Sequence, residues 1–63
     1  MKPTPENEAF VVTRVAAEID RRQPGLYPPS IVAALAERAA KEAIHKRSPV
    51  ETAIKFLVSH GAL

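Results

Sequence analysis

Apolar residues recur every three or four positions in three segments of the chain, the spacing that places them on one face of an α-helix. In the first segment they are Ala9, Val12, Val15, Ala16 and Ile19, with Val11 at the edge of the stripe. In the second they are Val32, Leu35, Ala36, Ala39, Ala40 and Ala43, and in the third Val50, Ala53, Ile54, Leu57 and Val58. The pattern predicts an all-α fold, a compact three-helix bundle with helices over about residues 5–22, 30–46 and 49–60.

Capping residues mark the starts of the first and third helices. Thr4 followed by Pro5 is typical of an N-cap and a first helical residue. Ser48, Pro49 and Glu51 match the capping box, in which the serine hydroxyl accepts from the backbone amide of the glutamate. Both motifs predict well-defined helix starts.

Glycine and proline mark the connections. Pro24 disfavours the helical conformation at the residue before it, so the first helix should end there. Gly25 suits the position of a type II turn that needs a positive φ, and Gly61 suits the end of the third helix. We expect residues 23–29 to form a rigid, proline-rich connector and residues 1–4 a flexible tail.

Length and composition restrict the classes of protein. A chain of 63 residues admits one domain, residues 1–63, with a marginal core. The absence of cysteine excludes disulfides, thiolate metal sites and cysteine nucleophiles. The longest apolar run is Ile31–Ala36, well short of the ~20 residues that span a bilayer, and the first ten residues lack a signal-peptide pattern. We expect a cytoplasmic protein with no membrane contact.

No catalytic or metal-binding set stands out. His45 and His60 belong to different predicted helices and have no third nitrogen or sulfur ligand. Ser30 and Ser48 stand where helix N-terminal residues are expected, so capping explains them. Ser59 neighbours His60, but adjacent helical residues point about 100° apart and should not pair as nucleophile and base. We therefore expect no enzyme activity, no cofactor, no metal and no small-molecule substrate.

Protein association is the class that the apolar pattern favours. Phe10 lies off the stripe of the first helix, close to Ala17, and Phe56 lies at the shoulder of the third. A small bundle with apolar residues outside its core favours a homo-oligomer or a helical protein partner. The predicted interaction residues are Phe10, Ala17 and Phe56. An alternative is that Phe10 belongs to a frayed first turn or folds over the bundle end as core.

The net charge of +2 lies in one part of the chain. Residues 24–47 hold four basic side chains against two acidic ones, and the other parts balance. Such clusters can contact phosphates, so a small DNA-binding or regulatory protein is the second interpretation, and a solvated basic face is the alternative to it. The candidate contacts are Arg38, Lys41, His45, Lys46, Arg47 and Lys55.

One resemblance to a known family covers residues 24–61. The segments Gly25-Leu26-Tyr27-Pro28, Ala34-Leu35 and 51–61 resemble the loop and last helix of ubiquitin-associated domains. The loop lacks the methionine that precedes the glycine in that family, and the second helix is much longer. The resemblance therefore implies a shared three-helix pattern and not membership.

Overall fold

The computed structural model describes residues 1–63 and contains three α-helices and no strand. They are α1 (Pro5–Arg22), α2 (Pro29–Ala43) and α3 (Pro49–Ser59). The predicted all-α three-helix bundle is confirmed. The bounds of α1 agree with the prediction, and α3 ends one residue early.

The predicted end of α2 at residue 46 is wrong, because the helix stops at Ala43. Ile44 continues the helical conformation and is buried in the core. The chain then tightens, with the Lys46 amide donating to the Ala43 carbonyl at 2.9 Å. Pro49 disfavours a helical Ser48, so the chain must leave the helix before α3 starts. Residues 44–48 therefore form a turn.

The backbone conformation of the residue before each helix decides whether its side chain caps the helix. Thr4 has the extended conformation usual for an N-cap, φ −84° and ψ 156°, and its Oγ1 accepts from the Asn7 amide at 3.1 Å. This confirms the predicted cap. Ser48 has ψ 80° and makes no side-chain cap hydrogen bond, so the predicted capping box is wrong. Ser30 does not cap either, because Pro28 is the N-cap residue of α2.

The core combines four large side chains with a face of alanines. The largest fully buried side chains are Val11, Val15, Ile19 and Leu57. The helix α2 contributes four wholly buried alanines, Ala36, Ala39, Ala40 and Ala43. Their small methyl groups let the backbone of α2 approach α1 and α3 closely. In α1 the buried row runs along Val11, Val15 and Ile19, while Val12 and Ala16 are half-buried at its side.

The connector and the C-terminal residues are joined by one hydrogen bond. Gly25 has φ 75°, and the Leu26 amide donates to the Gln23 carbonyl at 3.2 Å, as the predicted turn requires. The Tyr27 hydroxyl then donates to the Ala62 carbonyl at 2.8 Å. Gly61, at φ 77°, reverses the chain after α3, so that the last two residues pack against the core. The rigidity of the connector and the flexibility of residues 1–4 stay predictions.

Candidate functional site

The outer face of α1 carries an exposed aromatic ring. Phe10 is 48% exposed and lies on the side of the helix opposite the buried row, with Thr13 and Ala17 exposed beside it. The Arg14 guanidinium carbon lies 5.7 Å from the centroid of the Phe10 ring. Phe10 is the sixth residue of α1 and is absent from the core cluster, so it is neither part of a frayed first turn nor core. The structure brings Phe10 and Ala17 together on one surface.

Phe56 lies elsewhere. Its ring is half-buried and packs against the core, and its centroid lies 4.2 Å from that of the His60 ring at an angle of 32°. The structure therefore does not join Phe56 to the surface of Phe10. Sequence periodicity missed this because α3 turns Phe56 inward and leaves Val58, a residue of the predicted stripe, exposed.

Ser59 and His60 come closer than the helical spacing predicts, with 3.3 Å between Ser59 Oγ and His60 Nδ1. The Ser59 hydroxyl donates to the Phe56 carbonyl at 2.9 Å, and His60 Nδ1 lies 2.8 Å from the same oxygen. A carbonyl oxygen only accepts, so Nδ1 carries the hydrogen of that bond. A protonated Nδ1 cannot take a proton from Ser59. The two side chains satisfy a carbonyl at the end of α3, which is a structural role.

A groove between α1 and α2 is the surface that sequence reasoning missed. It consists of two adjoining cavities of about 490 and 360 Å³, which share Val12 and Thr13. Small or apolar side chains make most of the wall, including Ala16, Val32 and Ala33. The charged side chains that line it are all acidic: Glu8, Asp20 and Glu37. A groove with a negative rim thus occurs on a chain whose net charge is positive.

The residues that form this groove are visible in the sequence, but they indicate a groove only when those of α1 and α2 are considered together. Ala9 and Ala16 belonged to the predicted stripe of the first helix, Ala17 and Ala33 lay outside the stripes, and the three acids were scattered over two helices. Small side chains at the edge of one helix leave a groove only if the facing side chains of the neighbouring helix are also small. That condition depends on how α1 and α2 are rotated against each other.

The predicted basic residues are all exposed, but they divide into three places. Arg38 and Lys41 lie on the outer face of α2, which also carries Ile31, 43% exposed, and Ala34. The turn after α2 holds His45, Lys46 and Arg47, and Lys55 lies on α3.

The basic residues of α2 have no carboxylate partner. Both ion pairs of the structure belong to Glu18, with Arg21 and with Arg22. Glu37 and Lys41, one turn apart on α2, form no ion pair with each other. Side-chain hydrogen bonds from the two arginines lower the pKa of Glu18 from 4.5 to about 2.

The structure has neither a metal-binding cluster nor a helix that could span a membrane. No group of three or more histidine, aspartate or glutamate side chains is arranged to hold a metal ion. None of the three helices combines the length and the hydropathy needed to cross a membrane.

Comparison with known proteins finds no match for the chain. No family model matches it, and no curated protein and no solved structure shows significant similarity. The functional interpretation therefore depends on the surfaces described above.

Proposed function

We propose that this protein is a small non-enzymatic interaction module that self-associates through the outer face of α1. The observation that supports it is the exposure of Phe10 in the middle of a regular helix, beside the small side chains of Thr13 and Ala17. A large ring next to a small residue on the same helix face is a surface that a second copy of itself can fit. Isologous contacts of this kind are the commonest in homo-oligomers.

An antiparallel pairing of two α1 helices makes this fit specific. With a two-fold axis at the level of residues 13 and 14, Phe10 of each copy lies opposite Ala17 of the other. The same register sets Glu6 opposite Arg21, and both of these side chains are exposed. Size is thus complementary in one register, and Glu6 meets Arg21 at each end of it, while the two Arg14 side chains lie near the axis.

The ring provides the largest part of the attraction. A phenylalanine side chain buries about 200 Å² when fully covered, and about half of it is still accessible here, so each ring offers roughly 100 Å² to a partner. At about 25 cal/mol per Å² this is worth roughly 2.5 kcal/mol per ring. Removing one ring should therefore raise the dissociation constant about seventyfold, and Phe10→Ala, which removes both rings of the symmetric dimer, should raise it further.

Sedimentation equilibrium from low micromolar to near-millimolar concentration tests the proposal. We expect a concentration-dependent dimer for the unchanged chain and a much weaker one for Phe10→Ala. Leu26→Ala is the matched control, because Leu26 is even more exposed, at 59%, but lies in the connector. A chain that is monomeric at every concentration would refute self-association. Equal dimerisation by Phe10→Ala and the unchanged chain would refute the role of this face.

A second candidate function is nucleic-acid binding by the basic residues of α2 and the turn after it. It is favoured by one observation, the exposure of Arg38 and Lys41 without a carboxylate partner. A titration of duplex DNA over a series of salt concentrations tests it. Each phosphate contact should add about −0.9 to the slope of log affinity against log salt. The other candidate contacts are His45, Lys46, Arg47 and Lys55. Absence of binding at low salt would exclude this function for all of the candidate contacts.

A further inference from the structure

We propose that the groove between α1 and α2 receives the outer face of α2 from another copy of the chain. Two different surfaces of one molecule would then meet head to tail. This contact is a second mode of self-association that does not need Phe10, although it shares Thr13 and Ala17 with the pairing of α1 helices.

The groove has the character of an acceptor for a cationic helix. Its floor is made of Val12, Ala16 and Val32, so an apolar side chain can be buried there. Glu8 and Glu37 stand together at one end, and no lysine or arginine lines either of its cavities. An incoming basic side chain would therefore find carboxylates and no like charge.

The outer face of α2 has the matching donor character. Ile31, Ala34, Arg38 and Lys41 recur at helical spacing and are all exposed. Ile31 is a large apolar side chain in the first turn, and the two cations follow it toward the other end of the helix. The face therefore joins one apolar side chain to two cations, and the exposed Glu42 lies beside Arg38 on the same face.

The spacings on the two surfaces agree. From Ile31 to Lys41 the helix rises about 15 Å, and from Ala16 back to Glu8 about 12 Å, at ~1.5 Å per residue. With Ile31 seated over Ala16, the two cations reach the acidic end of the groove when the incoming helix runs antiparallel to α1. Groove against groove, or basic face against basic face, would instead place like charges together. Charge therefore selects the unlike pairing.

A head-to-tail contact has a consequence that a symmetric one lacks. In a pair joined head to tail, one copy keeps a free groove and the other keeps a free basic face. Further copies can therefore add until the assembly closes into a ring, or it grows as an open chain. Phe10 lines neither cavity, but Thr13 and Ala17, which flank it in the proposed pairing of α1 helices, do, so one copy cannot make both contacts through the same α1. The contact can therefore be studied in a Phe10→Ala chain, in which the pairing of α1 helices is weakened.

Charge exchange between two variants tests the contact. In the Phe10→Ala background, one variant reverses the acidic end of the groove with Glu8→Lys and Glu37→Lys, and the other reverses the donor with Arg38→Glu and Lys41→Glu. The first then has a basic groove and a basic face, and the second has an acidic groove and an acidic face. We expect each alone to associate roughly tenfold more weakly than its parent, and an equimolar mixture to recover the association.

The control is a second exchange on α3, Glu51→Lys with Lys55→Glu, which keeps the net charge and lies outside both surfaces. It should associate as the parent does, and circular dichroism should show all variants helical. Recovery by mixing supports the contact, because misfolded chains or nucleic-acid carry-over would not restore it.

The results also separate this inference from the proposed function. If both charge-reversed variants associate like their parent, or if the Phe10→Ala parent is monomeric, the head-to-tail contact is refuted. In the latter case a dimer of the unchanged chain would still support the pairing of α1 helices. If Phe10→Ala has no effect and charge exchange succeeds, the pairing of α1 helices is refuted and the head-to-tail contact stands.

Discussion

Close packing of α2 against its neighbours can be tested by enlarging one alanine. Ala36 is wholly buried at the centre of the inward face of α2. Ala36→Leu adds three carbon atoms where the neighbouring backbones are held close by methyl groups. Such overpacking costs about 1–3 kcal/mol. A chain of this length has a free energy of unfolding of roughly 3–9 kcal/mol, so the substitution should remove about a third of it.

The matched control is the same substitution at Ala34, which is exposed on the same helix. Leucine and alanine have similar helix propensities, so Ala34→Leu should change the free energy of unfolding by less than about 0.5 kcal/mol. Urea unfolding followed by circular dichroism measures both, since the chain has no tryptophan for fluorescence. Equal midpoints for the two variants, at an unchanged slope, would refute close packing at Ala36.

Three further predictions concern polar contacts. Tyr27→Phe removes the 2.8 Å hydrogen bond to the Ala62 carbonyl and should cost about 1 kcal/mol in thermal or urea unfolding; an unchanged stability would show that the bond contributes nothing. The pKa of Glu18 is lowered from 4.5 to about 2, so its contribution to stability is complete above pH 4.5 and is lost as the pH falls toward 2. Glu18→Gln should flatten the stability profile over that interval, and a profile parallel to that of the unchanged chain would contradict this. Thr4→Ala should cost about 1 kcal/mol because it deletes an observed cap, and Ser48→Ala should cost much less; equal losses in urea unfolding would refute the difference between the two helix starts.

The candidate surfaces differ in how far the sequence could predict them. Exposure of Phe10 follows from its position on α1 alone, since it lies opposite the apolar stripe whatever α1 packs against. Phe56 lies near the edge of its stripe, so a small rotation of α3 decides whether it faces the core or the solvent. Packing of Ala53 and Leu57 sets that rotation and turns Phe56 inward.

The capping motifs also show that sequence does not predict every hydrogen bond. Thr4 and Ser48 both precede a proline that starts a helix, and sequence treats them alike. Thr4 comes from an extended segment and has the backbone conformation that aims its hydroxyl at the amides. Ser48 ends a tight turn between two packed helices, and its ψ of 80° aims the hydroxyl elsewhere.

The number of helices, most of their bounds and the two glycine turns were determined by sequence, because periodicity, proline and positive φ act within a few residues of each other. Pro49 requires the chain to leave the helix before α3, but the tertiary structure, in which Ile44 is buried in the common core, decided that α2 ends at Ala43 and not at residue 46. It also decided that Glu8 and Asp20 of α1 share a groove with Glu37 of α2. Side chains from two helices meet only at one relative rotation, and the close fit of buried alanines sets that rotation.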